Sequence, residues 1–133
     1  MITTRRIDTA LALLGAAFIL YIGISYLITP ESIATGFGLP EWPSGDAVAF
    51  MNLKGVRDAV SGIVILTLLA LGQRFALGVT MLALALIPLG DMTTVLAYDG
   101  STAAAFGIHG LTAVLVGLTG VLLVREPRNQ ATA

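Results

Sequence analysis

Cysteine is absent from the 133 residues, which excludes disulfides, thiolate nucleophiles and cysteine-ligated metals. A single histidine, His109, rules out a histidine-rich metal site, and no cofactor or metal is expected. Charge is scarce as well. Charged residues make up 11% of the chain, against roughly 25% in soluble domains. The net balance is −1, with no basic block of the kind that nucleic acid attracts. What is present instead is hydrocarbon: 56% of the residues are hydrophobic and the mean hydropathy is +0.92. The charge deficit and the long uncharged runs mark an integral membrane protein, and the length allows one domain.

Four spans are predicted, over about 7–28, 50–71, 75–98 and 102–124, giving an all-α bundle with up-down topology. Thr9 to Ile28 is uncharged and close to the roughly 20 residues that cross a bilayer. Arg5 and Arg6 precede it, as in a signal peptide. The apolar run is nevertheless longer than a signal sequence needs, and no small-x-small cleavage site follows, so a retained helix is expected. Thr29-Pro30 ends or bends this span. Glu31 to Asp46 is the one sizeable polar segment. Pro30-Glu31-Ser32 suits a short helix start, and Trp42, between Pro40 and Pro43, suits a membrane interface. A short interfacial helix capping the bundle end is expected there, with a flexible loop as the alternative. Gly72-Gln73-Arg74 and Asp99-Gly100-Ser101 read as tight turns, and the residues after Arg128 as frayed.

The arginines set the orientation. Arg5, Arg6, Arg74, Arg125 and Arg128 fall on the side shared by both termini and the second turn. Glu31, Glu41, Asp46 and Asp99 fall on the other side, whose loops hold no Lys or Arg. Cytoplasmic termini in an inner or plasma membrane satisfy this distribution.

Against this background Lys54-Gly55-Val56-Arg57-Asp58 stands out. Lys54, Arg57, Asp58 and Ser61 share one helical stripe, and ionisable groups inside a membrane protein point to a functional site. The predicted topology brings more to the same layer. Asp91 lies two helical turns, about 10 Å, below the outer end of the third span, and His109 the same distance below the outer end of the fourth. Asp91 and His109 are the candidate acid and base, with Asp58. Arg57 is expected to face inward as an anion anchor, whereas Lys54 is expected to snorkel outward. Lys54, Ser61, Thr94, Tyr98, Thr112 and Trp42 form a candidate substrate-binding set. The competing structural reading is that Lys54 and Arg57 neutralise Asp58 and Asp91 merely to fix helix register, although buried ion pairs stabilise poorly compared with apolar packing.

The run Pro30…Gly36-Phe37-Gly38-Leu39-Pro40, then Lys54-Gly55-Val56-Arg57-Asp58 with Gly62, Asp91, and His109-Gly110 resembles the small four-span membrane proteins grouped as domain of unknown function 4267, allied with the DoxX-like group. The resemblance covers nearly the whole chain. It implies a four-helix membrane bundle and no settled activity.

Three functions fit the residues. The first is an enzyme using general acid and base groups on a lipophilic small molecule: an epoxide hydrolase, isomerase or cyclase. The residue types are similar to the Asp–Arg–Asp set of the small limonene-type epoxide hydrolases, on a different fold. The second is a non-catalytic membrane subunit or lipid-binding protein. The third is a proton-coupled transporter, disfavoured because the polar groups expected here stop halfway across. The expected partners are the bilayer and the small molecule, with association into a homo-oligomer left open.

Overall fold

The computed structural model describes residues 2–127, so Arg128 and the tail beyond it lie outside the described residues. All regular structure in the described part is helical. Helix α1 spans Ile2–Ile28 and is followed by the short α2, Pro30–Ala34. A 3₁₀ turn at Gly45–Val48 leads into α3, Ala49–Ala70. Helices α4, Arg74–Leu84, and α5, Leu86–Ala97, form one rod interrupted at Ala85. The last rod joins α6, Thr102–Ala104, a π-helical stretch Ala105–Gly110, and α7, Leu111–Val124.

Three of these rods, Thr4–Ile28, Arg74–Ala97 and Thr102–Val124, are long and apolar enough to cross a membrane. Helix α3 has 22 residues, about 33 Å at 1.5 Å per residue, so its length also suffices. Its three charges set it apart in composition. The outward faces are largely apolar: Leu14, Tyr21, Phe50, Leu53, Leu86 and Val114 are all exposed.

The rods pack as two close pairs, α1 with α3 and α4 with α7. Each pair is closed by glycine. A Cβ on Gly23 would lie 2.4 Å from the backbone nitrogen of Ala59, and one on Gly78 would lie 2.9 Å from that of Val124. No side chain fits at such distances, so the backbones themselves are in contact, the mode by which small residues let membrane helices approach. The two pairs meet in a core of Ala12, Ala16, Ile65, Leu77, Met81 and Leu123. A second core, Tyr26, Ala34 and Met51, seats α2 on the end of the α1–α3 pair, with Phe37 packed against it.

The segment between α2 and α3 is a docked cap. Ser101 donates its backbone N–H to the carbonyl of Gly38 at 2.7 Å, and His109 engages the carbonyl of Phe37 at 2.7 Å. These bonds answer the backbone polar groups that an irregular segment would otherwise leave unpaired. At the turn below, Asp99 adopts φ 54°, the left-handed conformation that Asp tolerates better than most residues.

Candidate functional site

Helix α3 supplies the charges of the ionisable layer, but rotated from the expected arrangement. The Lys54 ammonium donates to Asp58 Oδ2, four residues on and almost directly along the helix face. Lys54 is largely covered, and its nitrogen lies 4.8 Å from the Tyr26 ring centroid and 5.5 Å from that of Phe37, a cation–π arrangement. Arg57 is the outward cation: its side chain is 54% exposed, and its Nε stands 3.6 Å from Asp58 Oδ1, too far for a hydrogen bond. The expected roles of Lys54 and Arg57 are therefore exchanged. The reason is angular, because neighbours in sequence are about 100° apart on a helix, and burying Asp58 turns Arg57 away.

Asp58 itself is 1% exposed, and its Oδ1 accepts no hydrogen bond from any described group. His109 is buried as well. Because a carbonyl can only accept, the bond to Phe37 places the proton on His109 Nε2, leaving Nδ1 for other chemistry. The Phe37 ring lies over the imidazole at 4.5 Å. Asp91, half-buried on α5, is within electrostatic reach of Lys54, His109, Asp58 and Arg57. Its carboxylate accepts no hydrogen bond from a described donor.

Two interruptions of regular helix border this layer. Pro88 has no N–H, so the Leu84 carbonyl loses its intrahelical donor, and the α4–α5 rod breaks at Ala85 beside it. His109 lies on the π-helical stretch Ala105–Gly110, a local widening that recurs at functional sites.

Beneath the layer lies a cavity of about 460 Å³ between the two helix pairs. Its wall is almost entirely apolar. Ser61, Pro88 and Thr112 are part of it, and each stands three residues from an ionisable group: Asp58, Asp91 and His109 respectively. Three helices thus pass from charged layer to apolar cavity within one turn, about 5 Å. Of the six candidate binding residues, Ser61 and Thr112 line the cavity, and Lys54 belongs to the layer above it. Tyr98 is 69% exposed and Trp42 is 40% exposed, both apart from the cavity. Tyr98 lies past the end of α5, where φ −102° and ψ 23° depart from the helix. Thr94 is exposed and donates its hydroxyl to Gly90 O at 2.8 Å.

Sequence reasoning missed a second cluster at the opposite end. Arg74 binds Glu126 through two hydrogen bonds of 2.5 Å, Nε to Oε2 and Nη2 to Oε1. Arg74 Nη1 also donates to Thr9 Oγ1 at 3.0 Å. The Arg74 hydrogen bonds hold the Glu126 carboxyl below its ordinary range, with the Asp8 side chain and the charges of Arg74 and Arg5 adding to the effect. Asp8 faces Glu126 and Arg74; it has no exposed surface, and no described donor meets its oxygens in hydrogen-bond geometry. The one signal in sequence was Asp8, a lone acid at the edge of an uncharged run. Its partners lie at distant helix ends, where they read as ordinary flanking charges.

No curated protein and no solved structure matches the chain. The profile of one family matches residues 16–123, a stretch that takes in the whole ionisable layer and most of the cavity wall and leaves Asp8 and Glu126 outside. On that match the chain belongs to the family described as domain of unknown function DUF4267.

Proposed function

We propose that this protein crosses the membrane four times with alternating direction, keeps both termini cytoplasmic, and carries out acid–base chemistry on a lipophilic small molecule at Asp91 and His109. One observation carries the reading: Asp58/Ser61, Asp91/Pro88 and His109/Thr112 each join the ionisable layer to the apolar cavity. A molecule seated in the cavity presents its polar end to those side chains. Pockets of this kind, an apolar wall with a few convergent polar groups, are the usual form of small-molecule sites. Epoxide opening, double-bond isomerisation and cyclisation are the reactions that a carboxyl and an imidazole could serve without further groups.

The test is turnover of lipophilic epoxides and isomerisable alkenes by the protein in nanodiscs. Asp91→Asn and His109→Ala should each lower the rate by about 10²–10⁴-fold, the usual range for a general acid or base, with the fold intact. A variant at Asp91 that keeps full activity would overturn the acid–base assignment. The topology is tested separately by reporters: one fused after Ala133 should read cytoplasmic, and one inserted near Ser44 external.

A second reading, a non-catalytic lipid-binding subunit, is favoured by the engagement of Lys54 with Asp58 and of His109 with Phe37. Bonds within the protein occupy these groups as structural locks occupy theirs. Absence of turnover across the panel, with ligand still bound, would select this reading.

A further inference from the structure

The cavity's chemistry narrows what it can hold. Three hydroxyls stand in its wall, and each donates within its own helix: Ser61 to Arg57 O at 2.9 Å, Thr112 to Ile108 O at 2.6 Å, and Thr119 to Leu115 O at 2.7 Å. The wall therefore has no spare hydroxyl donor, and an acceptor group within it would go unpaired at a cost. A hydrocarbon chain suits it.

The cavity opens sideways. Leu14 and Phe18 of α1 and Ile108, Leu111 and Leu115 of the last rod line it, and all five are exposed. The opening between α1 and α7 thus faces the lipid, and the volume of about 460 Å³ falls within the roughly 300–1,000 Å³ of small-molecule pockets.

The head is specified from above. Asp91, one turn beyond Pro88, is an acceptor with no described donor. Lys54 and Arg57 balance Asp58 and Asp91, so a charged head would leave an uncompensated charge in a partly buried layer.

From these observations we infer that the cavity is a slot for one single-chain lipophile bearing a neutral hydroxyl that donates to Asp91. The inference rests on the reading above that the site handles a lipophilic molecule, and it names that molecule's class. The chain enters from the bilayer between α1 and α7. The hydroxyl meets Asp91 where the wall gives way to the charged layer, beside His109.

The experiment uses the full chain in phosphatidylcholine nanodiscs with a photoreactive tetradecanol carrying a mid-chain diazirine, and mapping of the crosslinked residues. Labelling is expected on the cavity wall. Free tetradecanol should compete for it, whereas tetradecane and tetradecanoate should compete far less. Asp91→Asn should weaken tetradecanol by about 10–100-fold, as for loss of a hydrogen bond to a charged group. Gly15→Leu should abolish cavity labelling: a Cβ there meets only Met81 Cε, at 3.8 Å, so the side chain fills the slot rather than breaking the packing. Gly107→Leu serves as an independent plug, since nothing lies within 4 Å of a Cβ there. The inference is overturned if labelling spreads over the outer apolar faces, if tetradecane competes as well as the alcohol (the slot then holding only bilayer chains), or if tetradecanoate competes best. The two readings fail separately. Cavity labelling without turnover removes the acid–base assignment alone, and turnover that survives both plugs removes the slot alone.

Discussion

His109 Nε2 stands 2.7 Å from the carbonyl oxygen of Phe37, so the lone histidine ties the π-helical stretch of the last rod to the cap between α2 and α3. The same contact buries the imidazole beneath the Phe37 ring. A residue offered as a base thus also fastens the roof of its site. His109→Ala should leave a partly buried carbonyl unpaired, a loss of about 1 kcal/mol. Amide hydrogen exchange should quicken between Phe37 and Gly45, and unchanged exchange there would mean that the cap is held by other contacts.

Lys54 and Arg57 should behave oppositely on removal. Lys54→Met strands the buried Asp58, and breaking such a pair costs about 3–5 kcal/mol. Arg57→Ala removes a half-exposed cation at 3.6 Å from its partner, and pairs of that kind contribute about 0–1 kcal/mol. Thermal unfolding of both variants in one detergent decides the order. A larger loss for Arg57→Ala would contradict the inward placement of Lys54.

Glycine substitutions should change sign with position. Gly23→Ala drives a methyl into the Ala59 backbone, and overpacking of this kind costs about 1–3 kcal/mol. Gly15→Ala meets only ordinary contact with Met81 and should stabilise α1 by up to about 1 kcal/mol through helix propensity. Two melting curves suffice to check the contrast.

The Arg74–Glu126 clamp should make stability depend on acidity in one direction. Glu126 is held below its ordinary value, mainly by the Arg74 hydrogen bonds. Its contribution is therefore fully present above the unfolded glutamate value of about 4.3 and is lost as pH falls through the lower folded value. Glu126→Gln should melt lower than the parent at pH 7. The gap between the two should close under acid, with Asp8 and Arg5 unchanged in both proteins. A gap that stays constant to pH 3 would deny the clamp an ionic origin.

Much was legible in the chain before its tertiary structure. The scarcity of charge and the lengths of the uncharged runs report directly on the solvent each segment prefers, so the helical class and the helix bounds near Ile28, Ala70, Ala97 and Val124 could be read locally. Turn residues at Gly72 and Asp99 act through their own backbone preferences and were equally local. The convergence of Lys54, Asp58, Asp91 and His109 on one layer followed from span lengths alone. Side-chain rotation did not, because exchanging the roles of Lys54 and Arg57 needs only a turn of α3 about its axis, to which hydropathy is blind. Nor could the sequence join Asp8 and Arg74 to Glu126, 52 residues beyond Arg74, since no local preference records which helix ends meet. The cavity likewise exists only between the two glycine-closed pairs. Where residues answer to solvent and backbone, one dimension was enough; where they answer to one another across the bundle, packing alone decided.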